Sequence, residues 1–186
     1  MASRGNQLPL ALELLESDHR KVEMLFDQYE ENKEGEEEMK RQLAERICGE
    51  LTVHAQVEEE LFYPWCRENI EDDEMDMLEE AYVEHASAKD LIAQIQGAGS
   101  VDATFDAKVK VLSEYIKHHV QEEENELFEE VKAGNAEELD ELGQEMAARK
   151  AELMEEMGLE DDEAQEGALQ ASAAKRGKGG EARTSR

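Results

Sequence analysis

The sequence predicts an all-α protein, an antiparallel up-down-up-down four-helix bundle with an extra C-terminal helix and a disordered tail. Helix-forming residues dominate the 186-residue chain, and it lacks the β-branched and aromatic runs typical of strands. Four long segments with helical apolar periodicity are separated by short turn signals. Short connections between long helices favour antiparallel neighbours, which is the geometry of such a bundle.

Each predicted helix has its own start and stop signals. Pro9 suits a first helical turn, and Pro64 predicts a bend inside the second segment. Glycine-containing stretches at 97–100 and 133–135 end the third and fourth segments. The predicted segments are Pro9–Glu31, Glu36–Asn69, Asp73–Gln96 and Asp102–Lys132.

The periodicity divides the chain into three parts. Residues 8–134 form the bundle, and residues 135–157 form an accessory acidic helix that either packs on the bundle or extends from it. Residues 158–186 have no apolar period and are predicted to be a disordered tail. The end of the tail is basic, which suits either a solubilising segment or a docking peptide for an acidic protein partner.

The charge of the chain excludes several classes of partner. Lys and Arg number 20 and Asp and Glu number 49, which gives a formal net charge of −29. Such a chain is repelled by nucleic-acid phosphates and by anionic membranes. The sequence contains neither an apolar run long enough to span a membrane nor a signal-peptide pattern, so a cytoplasmic protein is expected.

The histidines carry the strongest functional signal. Four of the five lie on the apolar stripe of their own helix, one per helix. Two of the four are followed one turn later by a glutamate on the same face. The inward-facing set is His19, His54, Glu58, His85, His119 and Glu123.

The register of the fourth helix has an alternative. Residues 54–60 and 119–125 form an internal repeat, and this repeat selects His119 and Glu123. His118 and Glu122 have the same spacing, so they remain an alternative pair at this point. In the favoured register His118 is partly exposed or supports a neighbouring ligand.

Four imidazoles and two carboxylates inside one bundle predict a metal site, because an unpaired buried carboxylate is costly. Two carboxylates suit two metal ions, and a site without thiolate favours iron or manganese over structural zinc. The Glu-x-x-His pattern of ferritin-like proteins occurs only at 16–19, so that class is set aside. The alternative is a metal-free helical interaction protein whose histidines are packing residues.

The ordered motifs resemble the hemerythrin-like, or HHE cation-binding, family over about residues 10–131. They are Asp18-His19, His54 to Glu58, Glu84-His85, and His119 to Glu123, with similar flanks at 61–64 and 126–128. The resemblance implies a non-haem di-iron centre in a four-helix bundle. Its two iron ions, joined by an oxo or hydroxo bridge, would share Glu58 and Glu123.

The chain departs from the oxygen-carrying members of that family. Where they have a second histidine four residues after the third-helix ligand, this chain has Lys89. The resemblance therefore implies reaction with O2, peroxide or nitric oxide in redox or stress response or sensing, with enzymatic turnover left open. The alternative is an iron-binding or iron-sensing module without turnover. Tyr82, three residues before His85, is predicted to pack in the core; its alternative role is contact with a bound ligand, for which it is the best placed of the tyrosines.

Overall fold

The computed structural model describes residues 8–71 and 75–159. Within these ranges the chain is helical and contains no strand. The helices are α1 (Leu10–Glu31), α2 (Glu37–Val57), α3 (Tyr63–Asn69), α4 (Met75–Gln96), α5 (Ala103–Glu122), α6 (Phe128–Lys132) and α7 (Ala136–Met157). Two π-helical turns, Glu58–Phe62 and Glu123–Leu127, join α2 to α3 and α5 to α6.

The all-α prediction is confirmed. The predicted second and fourth segments each form one continuous helix with a π turn inside it. Asp102 caps α5 by accepting hydrogen bonds from the backbone N–H groups of Thr104 and Phe105, at 2.9 and 3.0 Å. Gly158 ends α7 in the left-handed conformation, with φ of 65°. Residues 160–186, most of the predicted tail, lie outside the described residues.

The four long helices form a closed ring. α1 packs on α2, α2 on α4, α4 on α5, and α5 returns to α1. This adjacency places every bundle helix next to its neighbours in the chain, as the short connections predict. Side chains from all four helices therefore reach one central axis.

α7 packs along α1 and α2. Asp140 accepts a hydrogen bond from the backbone N–H of Leu10 at 3.0 Å, at the start of α1. Gly143 gives the closest approach, because a Cβ there would lie 2.4 Å from the backbone nitrogen of Ala11. Of the two roles considered for the accessory helix, the structure shows packing on the bundle.

The apolar core has two parts. One cluster gathers around Leu12, Phe62 and Phe128 and includes the inner face of α7. The other gathers around Val22, Ile47 and Leu112 at the far end of the bundle. A layer of buried histidine and carboxylate side chains lies between the residues of these two clusters along each helix.

Among the residues that the structure describes, no helix is both long enough and apolar enough to cross a membrane.

Candidate metal centre

The structure brings all six predicted inward-facing residues together in the middle of the bundle. Each is at least nine-tenths buried, and Glu58 is completely buried. The helical periodicity explains this convergence, because each histidine follows an apolar residue of its stripe by one turn. The six are His19 on α1, His54 on α2, Glu58 in the first π turn, His85 on α4, His119 on α5 and Glu123 in the second π turn.

The donor atoms fall into two overlapping groups, each able to hold a metal ion. His19, His54, Glu58 and Glu123 offer ligand atoms that lie within 4.8 Å of one another. Glu58, His85 and His119 form the second group by the same measure. Glu58 belongs to both groups, because one carboxylate oxygen lies 3.2 Å from His54 Nε2 and the other 3.3 Å from His85 Nε2.

Glu123 occupies the equivalent position on the other side. Its Oε2 atom lies 3.3 Å from His19 Nε2 and 3.9 Å from His119 Nε2. Each carboxylate therefore stands between imidazoles of different helices.

Several of these donor atoms have no hydrogen-bond partner, although they are buried. They are His19 Nε2, His54 Nε2, both oxygens of Glu58, and Glu123 Oε2. Glu50 Oε1 accepts no hydrogen bond either, but it forms ion pairs with the permanently charged side chains of Lys21 at 3.0 Å and Arg46 at 2.8 Å. Unpartnered buried nitrogen and oxygen atoms that converge on one point are what a metal site requires. The residues present therefore fit a transition-metal ion with nitrogen and oxygen ligands.

The outward-facing nitrogen of every histidine points at a carboxylate from a neighbouring helix. His19 Nδ1 lies 2.8 Å from Glu124, and His54 Nδ1 lies 3.5 Å from Asp18. His85 and His119 lie 2.9 Å from their carboxylates, which belong to Glu59 and Glu84 respectively. Such contacts fix the orientation of a ligating imidazole and leave Nε2 free for a metal.

These four carboxylates form a closed ring of support. Each of these carboxylates is the sequence neighbour of one predicted ligand and contacts a histidine on another helix. Asp18, for example, precedes His19 and faces His54 of α2. In the same way, Glu59 contacts His85 of α4, and Glu84 contacts His119 of α5. Glu124 contacts His19 of α1 and so closes the ring. Sequence reasoning assigned none of them a role, because the contacts depend on which helices are neighbours.

Basic side chains nearer the surface form ion pairs with three of the four supporting carboxylates. Lys150 of α7 donates to Asp18. Lys89 lies 2.6 Å from Glu59, and Arg20 lies 2.5 Å from Glu124. Lys89, which departs from the oxygen-carrier motif, thus stabilises the carboxylate that orients His85.

Burial and charge shift the pKa values of the site in opposite directions. Burial lowers the pKa of His54, but the negative charges of Glu58 and Asp18 outweigh burial and raise it well above the ordinary value. Burial raises the pKa of Glu58, but the charges of His54 and His85 reverse the effect and hold it well below its ordinary value. Without a metal, protons on the imidazoles therefore balance the buried carboxylates.

The two π turns begin at Glu58 and Glu123, directly at the two carboxylate ligands of the predicted site. Tyr63 and Phe128 each follow a site histidine by nine residues. In a regular α-helix at about 100° per residue, nine residues would place them about 180° from that histidine. The wider π turn accommodates an extra residue, and both rings are completely buried in the core. The nine-residue spacing from histidine to aromatic ring, common to both segments, is the feature of the sequence that could have predicted these turns.

Tyr63 is the tyrosine whose hydroxyl reaches the centre. Sequence analysis had ranked Tyr82 first among the tyrosines for contact with a bound ligand. The Tyr63 hydroxyl donates to Glu123 Oε1 at 3.3 Å and lies 3.3 Å from His85 Nε2. Burial and then the charge of Glu123 raise its pKa well above the usual range, so the hydroxyl keeps its proton. Tyr82 packs edge-on against the Tyr63 ring at 5.3 Å, as its predicted role in core packing requires.

A small cavity adjoins the imidazoles on the side of the second apolar cluster. Its volume is about 20 Å³, enough for one water-sized molecule. Its walls combine the four site histidines with aliphatic side chains, among them Leu51, Ile92 and Ile116. The cavity is a small, largely apolar space beside the four imidazoles.

Comparisons with known proteins identify a cation-binding family. Residues 10–131 match the family model described as the hemerythrin HHE cation-binding domain. The chain is also 28% identical over 120 residues to a protein named DNA nickase from Nostoc sp. (strain PCC 7120 / SAG 25.82 / UTEX 2576). That alignment covers 64% of this chain but 33% of the relative, so the chain spans about one third of its length. No solved structure gives a significant match.

Proposed function

Because the chain belongs to the hemerythrin HHE cation-binding domain family, we propose that it holds two iron ions in the buried centre and reacts there with O2, peroxide or nitric oxide. The six buried side chains would supply the ligands, with His19 and His54 on one ion, His85 and His119 on the other, and Glu58 and Glu123 shared. The observation that carries the proposal is the set of converging, unpartnered buried donor atoms.

When bound, a pair of non-haem iron ions would supply electrons and open coordination positions for a small oxidant or diatomic ligand. The apolar walls of the adjoining cavity exclude bulk water from that ligand and limit its size. The Tyr63 hydroxyl does not line that cavity; it holds a proton beside Glu123 and His85, where it would hydrogen-bond a group bound at the centre itself. The supporting carboxylates keep all four imidazoles in orientation.

Anaerobic loading with Fe2+ tests this function. We expect about two ions per chain and a new near-ultraviolet absorption band on exposure to air. Glu58→Gln should reduce the ion count, whereas Glu130→Gln, an exposed change of equal charge, should not. Fewer than about one ion per chain, or two ions that stay spectroscopically silent in air, would overturn the reactive role.

A second candidate role is iron sensing without turnover. It is favoured by the contact of Lys150 with Asp18, which connects α7 to the carboxylate facing His54. Metal occupancy would then stabilise α7 against the bundle. Amide hydrogen exchange in α7 that slows on Fe2+ binding, without consumption of peroxide or O2, would support this role over the reactive one.

We do not extend DNA nicking from the Nostoc relative to this chain. The matched region is one third of that protein, and the net charge of −29 opposes binding to a phosphate backbone. The proposed partners are therefore small ligands, and a protein partner for the basic residues near the C-terminus.

A further inference from the structure

A second cluster of metal-binding side chains lies on the surface beside the buried centre. His118 lies near the end of α5, next to His119, and the one-residue offset turns its imidazole outward, where 61% of the side chain is exposed. Its Nε2 atom lies 3.1 Å from a carboxylate oxygen of Glu122, one turn later. On the other side it lies 3.9 Å from Glu84 of α4.

These three side chains offer one nitrogen and two oxygen donors within 4.8 Å of one another. Donors that share an octahedral ion at about 2.1 Å lie about 3.0 Å apart, close to the His118–Glu122 distance. The other coordination positions of such an ion would face water, as expected for an ion that is weakly held and exchangeable. Imidazole and carboxylate together suit Mn2+ and Fe2+.

An independent feature connects this cluster to the interior. A cavity of about 70 Å³ runs beside it between α4 and the second π turn. Its inner end is formed by His119 and by Glu123, which is only 3% exposed and has an unpartnered Oε2 atom. The acidic side chains along it are Glu80, Glu84, Glu122 and Glu126.

We propose that Glu84, His118 and Glu122 form a solvent-facing site for a divalent cation, at the mouth of an acidic passage through which that cation reaches the buried centre. The negative potential of the passage raises the local cation concentration. Glu84 connects the two ends, because one oxygen faces His118 while the other hydrogen-bonds His119 Nδ1 at 2.9 Å. The transfer role rests on the proposed buried centre, whereas the surface site does not.

Binding at the surface site is tested by Mn2+ titration of the full chain followed by electron paramagnetic resonance. The test variant is His118→Asn combined with Glu122→Gln, and the control is Glu130→Gln. We expect the unmodified chain and the control to bind one more Mn2+ ion than the double variant. An equal number in all three proteins would overturn the surface site.

Transfer is tested by the rate at which Fe2+, added without oxygen, becomes resistant to a chelator. We expect the double variant to protect the same final number of ions as the unmodified chain, but about tenfold more slowly. Equal rates would overturn the passage. If the unmodified chain protects no Fe2+, the buried centre itself fails, and the Mn2+ count alone then decides the surface site.

Discussion

Lys150 of α7 donates to the carboxylate of Asp18 of α1, so a helix outside the four-helix ring holds a side chain that faces the metal centre. The Asp18 side chain is only 7% exposed, and Lys150 reaches it from the surface. The accessory helix is therefore part of the support of the centre.

Lys150→Ala should reduce the free energy of unfolding by about 1–3 kcal/mol, because it removes a charged partner from a nearly buried carboxylate. The matched control is Arg149→Ala, which removes partly exposed ion pairs with Glu60 and Glu152. That control should cost about 0.5 kcal/mol or less. Urea unfolding of both variants measures the difference, and equal losses would contradict a supporting role for Lys150.

Gly143→Ala should separate α7 from the start of α1. A new Cβ would lie 2.4 Å from the nitrogen of Ala11 and 2.6 Å from the carbonyl carbon of Leu10, both of them backbone atoms that cannot move aside cheaply. Alanine is the better helix former, yet we expect a loss of about 1–3 kcal/mol because the overlap outweighs propensity. Gly99→Ala, where nothing lies within 4 Å, should stay within about 0.5 kcal/mol in thermal unfolding. A stabilised Gly143→Ala variant would show that the helices do not approach this closely.

Tyr63→Phe should change reactivity more than metal binding. The ring keeps its buried packing, but the hydroxyl beside Glu123 and His85 is lost. We expect unchanged iron stoichiometry and an absorbance change in air that is slower by about tenfold or more, since a positioned proton donor is missing. Tyr82→Phe is the control, and rapid mixing with air-saturated buffer is the measurement. The same rate in both variants would remove Tyr63 from the proposed chemistry.

The metal-free protein should be most stable in mildly acidic solution. The pKa values of His19, His54 and His119 are raised above 6.5, because nearby carboxylates outweigh burial. The stability they contribute is complete below pH 6.5 and declines as the pH rises through their folded-state values. The pKa of Glu58 is lowered from 4.5, so its contribution is complete above that pH and is lost in acid.

Thermal unfolding of chelator-treated protein between pH 4 and 9 should therefore show a maximum between about pH 4.5 and 6.5. Protein loaded with metal should not show the same decline toward pH 8, because deprotonated imidazoles bind the ion more strongly. A metal-free chain that gains stability from pH 6.5 to 8 would contradict the proton balance described for the centre.

The residues that converge on the centre were predictable, because each histidine occupies the apolar stripe of its own helix. The ring of carboxylates was not, since Asp18 supports His54 only once α1 and α2 are neighbours. The π turns were also missed, although the nine-residue spacing from His54 to Tyr63 conflicts with regular α-helical phase. Periodicity predicted the existence of α7, but not its close approach to the start of α1, which the missing side chain of Gly143 permits.

The histidine layer separates two apolar clusters, and this division bears on how cooperatively the chain unfolds. In the metal-free state the halves meet across polar groups that contribute little apolar burial, so each half can open with a free energy of its own. Ions bound in both donor groups would together tie all four helices at that boundary and make both halves share one unfolding transition. Metal occupancy then sets the size of the cooperative unit as well as its stability.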